Sequence, residues 1–186
     1  MFNSNLLQAQ LVYNNGTIIN AKDGVIVFVD GSVQNENGEI IVDENGGLNA
    51  ELIIQEDFIN NSTSGGDGYY RVLGDWVNNN IFNAGSGTVF LSGANQLITG
   101  SVSTYFNNLT LEGTGFKTQT IDQYVTGILN LNDLELRTET FGMFVESTDL
   151  NAIIRTTGFV SSLGIGFLSR NTSLANTYLF PVGSSV

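Results

Sequence analysis

Short apolar runs separated by polar corners recur along this chain, and the clearest example lies between Asp75 and Asn95. Two runs typical of β-strands, Trp76-Val77 and residues 88–91, flank a corner rich in Asn and Gly. Asn and Gly accept the backbone conformations of tight turns and disfavour a helix. The stretch therefore predicts a unit of strand, corner and strand.

The opening of this unit recurs upstream. The shared pattern is a small or acidic residue, a variable residue, a β-branched residue, an amide and Asn. It occurs at residues 31–35, 57–61 and 75–79, with spacings of 26 and 18 residues. Elsewhere strands and corners alternate about every ten residues, a spacing shared by sandwiches, barrels and parallel solenoids. The irregular longer repeat favours an all-β chain folded as a parallel β-helix or β-solenoid. At roughly 20 residues a turn, about nine turns would make a rod on the order of 45 Å long.

The pattern divides the chain into three segments. Residues 1–10 are predicted to be a signal remnant or a disordered N-terminus, and residues 11–144 to be the solenoid, with its strands running from about Val12 to Phe144. Residues 145–186 are predicted to form a C-terminal β segment that continues into a module missing from the sequence. Because Pro181 cannot donate a main-chain hydrogen bond, that segment is expected to contain antiparallel strands or a cap.

Alternation within the strands predicts which side chains enter the core. Asn side chains at successive corners are expected to stack as hydrogen-bonded ladders. The run from Val25 to Val29 is apolar on both faces, which predicts burial on both, with the outer face meeting a cover, a neighbouring segment or another molecule. The predicted core residues are Val25, Val27, Val29, Ile41, Ile53, Val77, Val89, Leu91, Leu109, Leu111, Leu129 and Leu131.

Charge and composition exclude several classes of partner, catalytic arrangement and metal site. The net charge is −12, and the first 75 residues hold eleven acids against Lys22 and Arg71. Only six Lys and Arg are available to neutralise phosphates, so a nucleic-acid partner is not expected. Cys and His are absent, which excludes disulfides, Ser-His-Asp and Cys-His catalysis and His-ligated zinc. No apolar run reaches the ~20 residues of a membrane-spanning helix.

Asp57 and Asp75 are the candidate ligand-binding or catalytic carboxylates. They lie one repeat apart, which would stack them on one face with Arg71 nearby. Paired carboxylates with a basic residue on the outside of a β-helix are typical of polysaccharide lyases and glycosidases. The alternative is that each Asp begins a corner, where Asp is favoured for bonding to local backbone.

Two further candidates are Trp76 and Asp67. Trp76 is the single tryptophan, and it would either stack on a sugar ring or pack inward. Asp67 lies in Ser64-Gly65-Gly66-Asp67-Gly68, which faintly resembles the turns of calcium-binding β-rolls. A plain turn is the alternative, because those rolls repeat their motif in register and this chain has it once. Calcium is the one cofactor that the sequence suggests.

The second half of the chain carries a family resemblance. Residues 87–100 read GTVFLSGANQLITG, residues 104–111 read TYFNNLTL and residues 125–131 read VTGILNL. Together with GFV at 158–160, LSR at 168–170 and FPVG at 180–183, they resemble repeats of large surface proteins of the Bacteroidota. The resemblance implies an extracellular protein exported by the type IX secretion system, serving as an adhesin, a gliding-motility component or an envelope component.

The leading hypothesis from the sequence is a structural and adhesive module of such a cell-surface protein, without catalysis. Its partners would be the type IX secretion machinery, other cell-surface proteins and a copy of itself, joined head to tail. The alternatives are a glycan-binding module and, less favoured, a polysaccharide lyase or glycosidase on a β-helix.

Overall fold

The computed structural model shows a parallel β-solenoid and describes residues 11–22, 24–45 and 47–184. Each turn visits three faces in the same order, and about seven turns stack along the axis. The secondary structure of the described residues is entirely β, and within them no helix is long and apolar enough to cross a membrane. The predicted all-β parallel solenoid is confirmed, while the predicted N-terminal segment at residues 1–10 lies outside the described residues.

The strands are short, as expected for turns that bend at every corner. In chain order they are β1 (Leu11–Asn14), β2 (Ile18–Ala21), β3 (Ile26–Val29), β4 (Ser32–Asn35), β5 (Glu39–Val42), β6 (Glu44–Asn45), β7 (Leu48–Asn49), β8 (Glu51–Ile54), β9 (Phe58–Asn60), β10 (Thr63–Gly65), β11 (Tyr69–Val72), β12 (Trp76–Asn78), β13 (Phe82–Asn83), β14 (Thr88–Leu91), β15 (Gln96–Thr99), β16 (Tyr105–Phe106), β17 (Asn108–Leu111), β18 (Phe116–Gln119), β19 (Gln123–Val125), β20 (Leu129–Asn130), β21 (Glu135–Arg137), β22 (Gly142–Val145), β23 (Ile153–Ile154), β24 (Phe159–Ser161) and β25 (Phe167–Arg170).

Two of the three faces are continuous sheets. Face 1 has the order β1-β4-β9-β12-β15-β18-β21-β24, and face 2 has the order β3-β8-β11-β14-β17-β20-β23. Face 3 consists of two separate sheets, β2-β5-β10-β13 and then β16-β19-β22-β25, so the hydrogen-bonded ladder stops between β13 and β16. Strands β6 and β7 form an antiparallel pair within the second turn.

The predicted number of turns was too high because it divided all 186 residues into turns, whereas the strands of the described turns lie within residues 11–170. The length of individual turns also varies. Asn35 pairs with Asn60 at a separation of 25 residues, and Asn60 pairs with Asn78 at 18. The first recurrence in the sequence was placed one residue out, since Val33 lies opposite Phe58 and not opposite Ile59. Eight strands on face 1 give a stack about 34 Å long at about 4.8 Å between strands.

The segment after Phe144 also differs from the expectation. Strands β23, β24 and β25 pair in parallel with β20, β21 and β22, so the solenoid continues to Arg170. The antiparallel arrangement predicted there is wrong. The stretch containing Pro181 adds to the edge of face 1 through a parallel bridge between Val160 and Val182. Pro181 only accepts in this bridge, from the Val160 amide at 2.7 Å, which is how an edge tolerates proline.

Seven of the twelve predicted core residues are buried, namely Val29, Val89, Leu91, Leu109, Leu111, Leu129 and Leu131, and Val27 packs against the core. Ile41, Ile53 and Val77 point outward instead, and Val25 is 50% exposed. Ile41 and Ile53 have apolar neighbours on both sides, and Val25 and Val77 each have one large apolar neighbour, so the alternation did not fix which set faces inward. Ile40, Ile54 and Trp76 occupy the core in their place. The outer face of β3 is exposed among the described residues, with Ile26 at 63% and Phe28 at 60%.

Aromatic rings fill the centre of the core around Trp76. Its ring lies 4.6 Å from Phe58, 4.8 Å from Phe82 and 5.5 Å from Phe106, measured between centroids. The Tyr70 hydroxyl, also buried, donates to the Gly65 carbonyl at 2.8 Å. Burial raises the pKa of Tyr70 far above its ordinary value, so the hydroxyl stays protonated and available as a donor.

Candidate functional site

Asp57 and Asp75 lie in successive turns at the start of β9 and β12, as the sequence predicted. The Asp57 carboxylate accepts a hydrogen bond from the Asp75 amide at 2.7 Å, and the Asp75 carboxylate accepts one from the Leu97 amide at 2.7 Å. Each side chain therefore holds the main chain of the turn that follows it. This geometry matches the alternative of backbone bonding at a corner.

The same contact recurs at other corners of the solenoid. Asn95 accepts from the Phe116 amide at 3.1 Å, Asn108 from the Ile128 amide at 2.9 Å and Asp122 from the Gly142 amide at 2.7 Å. We call these contacts inter-turn staples. In the sequence they are visible only as Asp and Asn residues at corners. Because the turns stack, these residues form a series of contacts between one turn and the next.

Arg71 does not join Asp57 and Asp75. It lies on face 2, where its guanidinium bonds to Glu51 at 2.8 Å and to Glu112, and donates to Ser92 at 3.0 Å. The guanidinium also stacks over the Phe90 ring at 4.3 Å. The predicted grouping of two carboxylates with Arg71 is therefore wrong, because Arg71 points out from a different face of the turn.

Trp76 is fully buried, so the stacking platform for a sugar is wrong and the inward alternative is correct. Its indole N–H donates to the Thr104 hydroxyl at 3.0 Å. A buried tryptophan needs such a partner for its single donor.

Asp67 also bonds to the next turn, since its carboxylate accepts from the Ser86 amide at 2.6 Å and from the Ser86 hydroxyl at 3.1 Å. In the described part of the chain, no group of three or more Asp and Glu converges as a cation site would require. The bonds of Asp67 to Ser86 are those of a residue that fixes a turn, and calcium binding at Asp67 stays a prediction.

A buried column of asparagines runs along the corner between faces 1 and 3. The amide of Asn14 donates to Asn35 at 3.0 Å, Asn35 donates to Asn60 at 3.2 Å, and Asn60 donates to Asn78 at 2.9 Å. The predicted asparagine ladder is confirmed. Gly100 occupies the next position, where a side chain would overlap the carbonyl of Asn78, and the ladder ends there.

The most unusual charged group is Lys117, which is fully buried. Its ammonium donates to the carbonyls of Gly93 at 2.8 Å and Ala94 at 2.7 Å and to the Gln96 side chain at 2.7 Å. Burial lowers the pKa of Lys117 to about 8. Because all three donors are used within the corner, the geometry assigns Lys117 to holding the 93–96 turn in place.

Sequence reasoning missed a cleft on face 3 at the break between β13 and β16. Its volume is about 450 Å³. We call it the break cleft, and define it by Asn80, Ile81, Asn83, Val102, Ser103 and Tyr105. None of these side chains is charged, and they bring amides, a hydroxyl and an aromatic ring to one opening.

Tyr105 begins an aromatic ladder on the outside of face 3. The Tyr105 and Tyr124 rings stack at 4.3 Å with 8° between their planes, and Tyr124 stacks on Phe144 at 4.8 Å and 10°. Tyr124 lies in the following turn, so it covers one face of the Tyr105 ring and the opposite face is turned toward the break cleft. Tyr105 is 51% exposed.

A second polar hollow of about 260 Å³ lies on face 1 near β21 and β24. Glu135 bonds there to Arg137 at 3.0 Å and accepts from the Ser161 hydroxyl at 2.6 Å. Arg137 also stacks over the Phe116 ring at 3.5 Å. Glu139, on the rim, holds a left-handed backbone with φ 54°.

Comparison of the chain with known protein families, curated proteins and solved structures gives no match.

Proposed function

We propose that this chain is a structural and adhesive β-solenoid module of an exported cell-surface protein. The observation that carries the proposal is the series of inter-turn staples and the asparagine ladder, which tie each turn to the next through side chains. In a solenoid, stability is the sum of terms within turns and between neighbouring turns. Strong contacts between neighbouring turns produce a stiff column. Such a column suits a spacer that holds a binding surface away from a cell.

The cell-surface setting is supported by the resemblance of residues 87–100, 104–111 and 125–131 to Bacteroidota repeats. The proposed partners are the type IX secretion machinery and other surface proteins. A chain with 13% charged residues, whose other polar side chains are mostly neutral amides and hydroxyls, is consistent with this setting.

Antibodies against the folded module test the location. They should label intact cells that produce the protein, and the label should disappear when the type IX export machinery is deleted. Labelling only after lysis would contradict the proposal. Deletion of an unrelated secretion route serves as the control.

A screen of acidic and neutral polysaccharides for reducing ends or unsaturated products tests the catalytic alternative. We expect no release. Activity that disappears in Asp57→Asn or Asp75→Asn would overturn the structural role, because an amide oxygen still accepts the staple but does not act as a base.

A further inference from the structure

We propose that the break cleft is a binding subsite for a neutral oligosaccharide, with the exposed face of Tyr105 as its stacking platform. This inference deepens the proposed adhesive function by naming the class of partner, and it rests on that function only for its biological setting.

The ring geometry gives the first argument. Sugar rings pack their C–H faces on aromatic faces, which requires a ring held with one face open. Tyr105 meets this requirement because the Tyr124 ring supports its other face, with 4.3 Å between the ring centroids and 8° between the ring planes. Ile81 and Val102, 53% and 39% exposed, extend the apolar floor beside the ring.

The polar groups give the second argument. The side chains of Asn83 and Ser103 line the cleft and make no hydrogen bond to another described residue. An amide presents a donor and an acceptor side by side, which pairs with neighbouring sugar hydroxyls. The volume of about 450 Å³ lies within the range of about 300–1,000 Å³ for small-molecule sites.

The interruption of face 3 explains why the cleft exists. β13 and β16 belong to different sheets, so their facing main-chain groups are not paired with one another and border the opening. Such groups are available to hydroxyls of a ligand.

Charge decides between ligand classes. The lining contains no charged side chain, and the chain as a whole carries a net charge of −12. A polyanionic glycan would be repelled, since like charge opposes association. The structure therefore favours a neutral chain of hexoses or pentoses over a uronic-acid polymer.

Titration of the isotope-labelled chain with cellohexaose, xylohexaose and laminarihexaose tests the proposal, with a galacturonate oligomer as the charged comparison. We expect at least one neutral oligosaccharide to shift amide resonances around Asn83, Ser103 and Tyr105. We expect the galacturonate oligomer to leave them in place. Calorimetry then gives the affinity.

Three variants make the test specific. Tyr105→Ala should weaken binding roughly three- to tenfold. Asn83→Ala removes an exposed amide without a protein partner, so it should weaken binding while leaving the melting temperature unchanged. Tyr13→Ala is the matched control, because Tyr13 has the same 51% exposure and lies on β1, away from the cleft.

Absence of shifts with every neutral oligosaccharide at millimolar concentration would overturn the proposal, as would an equal loss in Tyr13→Ala. Cleft shifts that depend on protein concentration without sugar would assign the cleft to a second copy and also overturn it. If no oligosaccharide binds but the antibodies label intact cells, the proposed subsite is wrong and the cell-surface function is unaffected. If an oligosaccharide binds but the antibodies do not label intact cells, the cell-surface function is wrong and the proposed subsite is supported.

Discussion

Asn60 shows how much a single corner side chain contributes to the stability of the fold. It is fully buried and accepts from Asn35 and Ser64 while donating to Asn78 and the Ile81 carbonyl. We expect Asn60→Ala to lower the free energy of unfolding by about 2–4 kcal/mol, because it leaves buried polar partners unpaired. Urea unfolding measures the change.

Asn61 is the matched control for Asn60. It points outward from the same corner and bonds to Asn79 and Glu36 at the surface. Asn61→Ala should cost about 0.5–1 kcal/mol, since water replaces its partners. Equal losses in the two variants would contradict a special contribution from the buried ladder.

The lowered pKa of Lys117 predicts how the free energy of unfolding changes with pH. Its pKa is about 8 in the folded chain against 10.5 in the reference state. Below pH 8 both states bind the proton, and between these values the unfolded chain binds more protons. The contribution of Lys117 to the free energy of unfolding therefore rises as pH rises through this window.

Comparison of the wild type with Lys117→Met isolates that contribution, since the other titrating groups are common to both. The difference in unfolding free energy, wild type minus variant, should grow by on the order of 1–3 kcal/mol from pH 7.5 to pH 10. A difference that stays constant with pH would show that Lys117 keeps an ordinary pKa.

At the scale of elements, the end of β15 depends on Gly100. It has φ 140° and lies against the Asn78 carbonyl, so a Cβ would overlap that oxygen. We expect Gly100→Ala to lower the free energy of unfolding by about 3 kcal/mol or more, since both strain and a backbone clash oppose it. Thermal and urea unfolding both report the loss.

Gly16 supplies the control for backbone conformation alone. It has φ 93° and nothing within 4 Å of an added Cβ. Gly16→Ala should therefore cost only about 1–2 kcal/mol. If Gly100→Ala costs no more than Gly16→Ala, close packing of the two turns is not what selects glycine at position 100.

At the scale of the whole molecule, exposed apolar side chains on the first described turn predict association. Leu11, Ile18 and Phe28 are between 50% and 65% exposed on β1, β2 and β3, which are edge strands of their sheets. Unblunted edges beside apolar residues recruit further chains. The acidic first 75 residues should favour contact with the nearly neutral opposite half over contact with each other.

We therefore expect a head-to-tail association that increases with protein concentration and with ionic strength, as salt screens the net charge of −12. Phe28→Glu should suppress it, and Val102→Glu, on face 3, should not. Light scattering at low and high ionic strength follows the size. A concentration-independent monomer at both would refute self-association.

The fold class was predictable from the amino-acid sequence. Gly and Asn at corners and the period of two in runs such as Leu129 and Leu131 are local properties, and they predicted strands, corners and a stacked column correctly. The stacking of Asp57 on Asp75 and the asparagine ladder followed from the same repeats, because successive turns place equivalent corners in contact.

Contacts between turns selected the inward-facing side chains wherever the local sequence pattern allowed either set. In Ile40-Ile41-Val42 each face of the strand is apolar, so only the packing of neighbouring turns selects Ile40 and Val42 for the core. The same packing buried Trp76 and turned Arg71 away from Asp57. The break cleft joins residues of β13 with Tyr105 of the following turn, and it exists because two strands of consecutive turns fail to pair. Sequence periodicity records which residues form strands, but the pairing of one turn with the next is a property of the stacked column.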